Sequence, residues 1–207
     1  MSENLTPIGE LGEFGLIERL TAEFDADLYP DVLKAIGDDA AVVHTGQDCQ
    51  IITTDLLLEG VHFDLAYVPL QHLGYKAVAV NLSDIYAMNA RPYGITFSFG
   101  CSSRFTVEAM AAIYSGVRMC CEQYGVQLLG GDTTGSKQGL MLSVTALGRA
   151  KEAEIVYRNG ARENDLICVT GDLGGAFAGL QILEREKAVY EQNPDVQPDL
   201  SQHEYAV

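Results

Sequence analysis

The sequence predicts an α/β (α+β) fold, because apolar β-branched runs of strand character alternate with segments of helical period, and glycine-rich turns separate them. Two stretches carry most of that prediction. Ile51, Ile52, Thr53 and Thr54 set apolar and branched side chains on consecutive positions, as in a strand covered on both faces. Thr106 offers a helix N-cap with Glu108 in the first turn; Val107, Met110, Tyr114, Val117, Cys121 and Tyr124 then form one apolar stripe, and Gly125 supplies the stop.

Taken in order, Glu10 to Phe24 places Leu16, Ile17, Leu20 and Phe24 at helical spacing and predicts a short amphipathic helix that packs through that stripe. Ala35 to His44 reads as a turn with two adjacent carboxylates, Asp38 and Asp39, leading into a small apolar strand. Two readings fit the pair: a turn whose own amides satisfy a carboxylate, or a place where a cation relieves their repulsion. The strand through Thr54 delivers Asp55 at or near its end. There it either caps the following segment or, on a rigid support, holds a metal or a substrate. Gly60 marks a turn, and Val61-His62-Phe63 alternates as a short edge or hairpin partner with His62 opposite its neighbours.

Leu70 to Met88 follows a helical period and is apolar nearly all round, so the helix is expected to be largely buried. It nevertheless carries Asn81 and Asp84 on one face. Desolvating an unpaired carboxylate costs several kcal/mol, on the order of a small domain's stability margin. Asp84 is therefore paired with Lys76, metal-bound, or at a cleft. Arg91-Pro92 ends the helix, Tyr93 to Cys101 reads as a strand, and Val126 to Leu129 is a short strand entering Gly130-Gly131-Asp132-Thr133-Thr134-Gly135. Those glycines bare amides to an anion and the Asp and Thr residues offer oxygen ligands, although plain turns use the same residues. Leu140 to Leu147 is a further strand. Beyond Gly148-Arg149 the chain turns polar, then offers a strand at Leu166 to Thr170 and a helix from Gly174 to Leu183. A boundary near Ala150 divides it into a domain over 1–150 and an incomplete second α/β domain over 151–207.

Composition narrows the function. With 207 residues, 47% hydrophobic and 20% charged, the chain has room for one good core and part of another. No apolar run is long enough to cross a bilayer, and the start MSENLTPIGELGEF lacks the basic and apolar regions of a leader, so a cytoplasmic protein with no membrane partner is expected. Five cysteines without metal-ligand spacing read as reduced core thiols. A net charge of −16 with no clustered Lys or Arg argues against nucleic acid. His44, His62, His72 and His203 are dispersed, no Ser-His-Asp or Cys-His set competes, and neither a Walker A nor a GxGxxG pattern occurs. What stands out is Asp38, Asp39, Asp55, Asp84 and Asp132, spread over four segments. Carboxylates that converge need a hard oxygen-binding cation, and Mg²⁺ is preferred when phosphates supply the other ligands.

The segments GDDAAVV, ITTDLLLEGVHF, KAVAVNLSDIYAMNARP and LLGGDTTG, in this order and spacing, resemble the thiamine-monophosphate kinase family of the PurM-like superfamily, over nearly all of residues 10–183. That resemblance implies a mixed four-stranded sheet flanked by helices, pairing with a second protomer in a barrel-like homodimer with sites at the interface. It implies transfer of the γ-phosphate of ATP to thiamine monophosphate, giving thiamine diphosphate. Carried over by motif, Asp38, Thr53, Thr54, Asp55, Asp84 and Asp132 match the metal site for Mg²⁺, His62 a substrate contact, and Tyr114, Gly131, Asp132 and Arg158 the nucleotide contacts. The family's further Asp-x-Ser-Asp-Gly motif is absent, so a chain that stops here is expected to catalyse poorly or not at all. Two alternatives stay open: a sister ATP-dependent enzyme with another acceptor, and a non-catalytic dimerising metal-binding module.

Overall fold

The computed structural model describes residues 6–24 and 28–195. Strands β1 (Val32–Lys34), β2 (Ala41–His44), β3 (Cys49–Leu58), β4 (Arg91–Cys101), β5 (Gln127–Gly130), β6 (Thr133–Gly135) and β7 (Met141–Ala150) form one mixed sheet in the order β1-β2-β3-β7-β4-β5, with β6 also beside β4. The expected four strands are its centre, β2-β3-β7-β4, paired antiparallel. The short β1, β5 and β6 widen it; β5 and β6 run parallel to β4. Helices α2 (Leu70–Ala87) and α3 (Val107–Tyr124) lie between its long strands in sequence, while α1 (Gly12–Thr21) and α4 (Gly175–Gln192) flank them.

Strand alternation decides what each face carries. Ile51, Leu57, Ile95, Phe97, Leu142 and Val144 turn to one face and are buried with Leu73, Val78, Leu82 and Ile85 of α2 and Ile113 of α3. Each such side chain removed from water contributes about 2 kcal/mol. The opposite face presents Ile52, Thr54, Leu56, Ser143 and Thr145, all exposed or half-exposed. The two helices meet at glycines: a Cβ on Gly74 would lie 1.9 Å from the Ile113 carbonyl oxygen, and one on Gly116 would lie 1.8 Å from that of Gln71. α3 keeps the expected ends, with the Thr106 hydroxyl accepting the Ala109 amide at 3.2 Å and Gly125 closing the helix at φ 66°.

Several expectations change. α1 is shorter than Glu10 to Phe24 and contains no buried residue; Leu20 and Phe24 stay exposed because, among the described residues, no strand or long helix packs closely on the stripe. β3 continues to Leu58, since Leu56, Leu57 and Leu58 go on pairing with β7, so Asp55 stands inside the strand and not at its end. Val61-His62-Phe63 forms no hairpin strand; it is a turn closed by a single bridge between Glu59 and Phe63. Leu166 to Thr170 forms no ladder among the described residues, and Leu166 and Ile167 are 89% and 96% exposed. Branched residues make a strand only where a neighbour completes the ladder. Among the described residues, no helix is long and apolar enough to cross a membrane. His203 lies outside the described residues.

Candidate functional site

Four carboxylates and one guanidinium gather where the β2 approach, β3, α2 and the segment after β7 meet. β3 turns Thr53 and Asp55 toward the helices, and the Thr53 hydroxyl donates to Asp84 Oδ2 at 2.9 Å. Thr53 is buried, so its part here is to hold the Asp84 carboxylate from within the core. Burial pushes the Asp84 carboxyl above its ordinary range, and the nearby charges of Asp55 and Asp39 push the same way; the Thr53 hydrogen bond and Arg158 oppose them. Arg158 reaches in from beyond β7: its Nε donates to Asp39 Oδ1 at 3.1 Å, and its own backbone amide donates to Asp38 at 3.3 Å. Asp39, then Asp38 and Asp84, hold the guanidinium firmly charged. Asp38 also accepts the Asp39 amide at 3.0 Å, so the turn reading and the charge-cluster reading of that pair both describe it.

An oxygen-binding cation fits this chemistry. Asp39 and Asp55 act on the partly desolvated Asp84, Asp38 and Asp39 act with it on Arg158, and one helical turn before Asp84 the buried Asn81 leaves its Oδ1 without a partner among the described residues while its Nδ2 donates to Ala77 O at 2.9 Å. Among the described residues, no three acidic, His or Cys side chains already stand close enough to grip an ion. Arg158 occupies that electrostatic role against Asp39.

Two of the expected ligands are placed differently. Thr54 turns to the other face, where its hydroxyl donates to Val144 O at 3.0 Å and accepts from Thr145 at 3.2 Å, so alternation keeps its side chain from the cluster. Asp132 is three strand positions from Asp55 across β7 and β4, on the order of 14 Å. Its amide donates to Ser98 Oγ at 3.1 Å on the uncovered face, and its carbonyl accepts from Phe99. One chain therefore brings Asp38, Asp55 and Asp84 together and leaves Asp132 outside. Asp132 follows Gly131 in the loop beside β4, and Tyr114 lies across the sheet from Ser98, on the helix-covered face. A Cβ on Gly131 would lie 1.7 Å from the Phe97 carbonyl oxygen, which only glycine permits. The Tyr114 ring packs edge-on against Phe97, 5.2 Å between centroids, and borders a cleft of about 800 Å³ between α3 and β5 with Val117, Val126 and Leu128. Arg158, grouped with these residues by motif, belongs geometrically to the carboxylates.

His62 is exposed just beyond β3, on the order of 10 Å along the strand from Asp55. Its Nδ1 accepts the Leu58 amide at 3.0 Å, which leaves Nε2 as the ring nitrogen that faces outward to donate. Lys76 donates to the His62 carbonyl at 2.8 Å. Of the three alternatives for Asp84, the pairing with Lys76 does not form, because eight helical residues separate the two by about 12 Å and Lys76 finds that nearer acceptor. Sequence reasoning missed the Asp39–Arg158 pair; the adjacency of Asp38 and Asp39 was the available signal, but an arginine 119 positions away has none.

Residues 37–150 match the family model described as AIR synthase related protein, N-terminal domain. The chain belongs to this family. It is 35% identical over 196 residues to the thiamine-monophosphate kinase of Bacillus subtilis (strain 168), covering 94% of this chain and 59% of the relative. It is 37% identical to the thiamine-monophosphate kinase of Aquifex aeolicus (strain VF5), over 88% of this chain and 56% of the relative. The solved structure of AaThiL complexed with AMPPCP and TMP superposes with a TM-score of 0.79 at 34% identity, covering 89% of this chain and 56% of that one. The AIR synthase related chain thus spans somewhat more than half the length of these relatives.

Proposed function

We propose that this protein is the N-terminal domain and the beginning of the second domain, divided near residue 150, of an ATP- and Mg²⁺-dependent kinase that phosphorylates thiamine monophosphate to thiamine diphosphate. The observation that carries the reading is that Asp38, Asp39 and Asp84 act on Arg158 and that Asp55 and Asp39 act on Asp84, so charges from three separate segments meet. The relatives named thiamine-monophosphate kinase, and the relative solved with AMPPCP and TMP, supply the substrates.

The acceptor phosphate is already largely dianionic near neutral pH, since its second pKa is about 6. One of its oxygens attacks the γ-phosphorus as the bond from that phosphorus to the β–γ bridging oxygen breaks and ADP leaves, so no general base is required. Asp38, Asp55 and Asp84 would hold Mg²⁺, which supplies charge neutralisation between the two phosphorylated molecules. Thr53 fixes the Asp84 carboxylate for that purpose. Arg158, whose planar fork suits phosphate as well as carboxylate, exchanges Asp39 for the transferring phosphoryl group. His62 offers its Nε2 N–H to the acceptor, the cleft beside Tyr114 receives the nucleotide, and the Gly131-Asp132 loop against Phe97 and Phe99 adds a further contact to it.

Asp132 is separated from the metal cluster within one chain, and its loop is tied to the uncovered sheet face. Pairing of that face with a second copy, as a homodimer, supplies an Asp132 loop to each cluster from across the interface. Incubation with ATP, Mg²⁺ and thiamine monophosphate tests the activity on the full-length protein. Thiamine diphosphate is the expected product, and turnover of another acceptor without it overturns the assignment. For this chain alone, calorimetry with Mg²⁺ and a non-hydrolysable ATP analogue reads the same site; absence of metal-dependent binding counts against it.

A further inference from the structure

The loop between β3 and α2, residues 59–69, carries His62 near one end and is gripped at the other by α4, more than a hundred residues later. Asp64 is the node of this contact. One of its oxygens accepts the Ala66 amide at 2.8 Å, and Val68 donates to its carbonyl at 3.0 Å, winding one helical turn over 64–68. The other carboxylate oxygen accepts from Lys187 of α4. One turn along both partners, the Tyr67 hydroxyl donates to Glu184.

Two matched pairs at i and i+3 on each side make a keyed contact. Asp64 faces Lys187 and Tyr67 faces Glu184, so reversing or sliding α4 by one turn would oppose Glu184 to Asp64 and repel. Both charged side chains are partly shielded, at 27% and 28% exposure, so the pair is ordered by its hydrogen bond rather than left as two free surface charges. Gly175 and Gly179 are the buried residues of α4, while Phe177, Leu180, Val189 and Tyr190 face outward. On the His62 side, the ring is bound to Leu58, its carbonyl to Lys76, and Phe63 is buried between His62 and Asp64. A displacement of Asp64 is thus carried through two peptide units to the imidazole.

We propose that Asp64, Tyr67, Glu184 and Lys187 form an interlock that makes α4 and the 59–69 loop one cooperative unit, with Glu184 and Lys187 acting as positioning residues for His62 and hence for the acceptor. The acceptor half of this statement rests on the function proposed above; the coupling half stands by itself. Hydrogen exchange on the whole chain tests the coupling. Lys187→Met, a change confined to α4, speeds exchange of the amides of 59–69 as well as 175–192 by about tenfold, equivalent to about 1.4 kcal/mol of lost protection. Tyr67→Phe gives a smaller acceleration in both segments. Lys187→Arg, which keeps a cation able to donate to Asp64, retains protection in both segments, as no merely disruptive change at this position would. Faster exchange in α4 with an unchanged loop overturns the proposal, as does equal acceleration by Lys187→Arg and Lys187→Met.

Calorimetry with thiamine monophosphate and Mg²⁺ then separates the two halves. Lys187→Met is expected to weaken acceptor binding about tenfold and leave the affinity for the ATP analogue unchanged. Equal loss of both ligands overturns the positioning role. A wild-type chain that fails to bind thiamine monophosphate while its exchange coupling persists refutes the acceptor assignment and leaves the interlock standing.

Discussion

Replacing Asp84 by Asn exposes the conflict between stability and function in the carboxylate cluster. Asn keeps an oxygen to accept from Thr53, which lies 2.9 Å from Asp84 Oδ2, and it keeps the shape of the side chain. It removes a charge that burial and the neighbouring Asp55 and Asp39 disfavour. Relieving a partly screened repulsion of this kind is worth about 1 kcal/mol, which raises Tm by about 2–4 °C for a chain of this size. The pH dependence has a definite sign. Because the folded carboxyl sits above its unfolded range, wild-type folding is favoured at low pH, where Asp84 is protonated, and that advantage is lost as pH rises through the folded value. The gain from Asn is therefore largest at alkaline pH and disappears in acid. Mg²⁺ reverses the ranking: at a hundredfold excess over its dissociation constant, a bound ion stabilises wild type by about 2.7 kcal/mol and the variant hardly at all. Calorimetric melts across pH, with and without Mg²⁺, read all of this. A variant less stable than wild type at pH 8 without metal would refute the account of the cluster as a strained, charge-repelling site.

Other outcomes follow from the same geometry. Gly74→Ala and Gly116→Ala each force the α2–α3 crossing apart against backbone atoms, costing about 3 kcal/mol, and denaturant titration should show the loss for each. Thr53→Val is expected to weaken Mg²⁺ binding, while Thr54→Val leaves it nearly unchanged, because alternation sends Thr54 to the other face; equal effects in calorimetry would contradict the strand register. Tyr114→Ala opens the cleft beside Phe97 and lowers affinity for an ATP analogue, on the order of tenfold, whereas Tyr114→Phe retains it if the ring is what the nucleotide meets. Arg158→Met strips Asp39 of its partner, and the resulting drop in stability without metal should be largely recovered by adding Mg²⁺.

The parts of this molecule legible in the sequence are those set by short-range physics. The Thr106 cap, the apolar stripe and the Gly125 stop define α3 almost to the residue, because capping and helical period act within a few positions. The burial of α2 and the anomaly of Asp84 on it were equally legible, since period alone places both. The pairing of β3 with β7 was not. It carries the strand past Asp55 to Leu58, and that depends on residues 141–150, which no local pattern ties to 49–58. For the same reason α1 misled: a stripe such as Leu16, Ile17 and Leu20 states that a helix has an apolar side, not that anything lies against it.

The candidate site divides along that line. Motif wording gathered Asp38, Asp55, Asp84 and Asp132 into one set, and wording has no geometry. In the sheet, the order β3-β7-β4-β5 inserts two strands between Asp55 and the loop after β5, and no adjustment of side chains spans three ladder spacings. A residue grouped with the others by sequence yet held apart by topology must either act separately or be supplied by another copy. The Ser98 hydroxyl turns the choice toward the second, since it fastens the Asp132 amide on the uncovered face, whose Ile52, Leu56 and Thr145 lie open to a partner. Sedimentation tests this directly. Leu56→Lys places a charge at the centre of that face, where Leu56 is 52% exposed and its loss leaves the monomer intact. The expected result is dissociation to monomer together with loss of Mg²⁺-dependent nucleotide binding. A monomeric variant that still binds ATP analogue and metal with wild-type affinity would show that Asp132 serves its own chain, and that the two groups of residues are two sites.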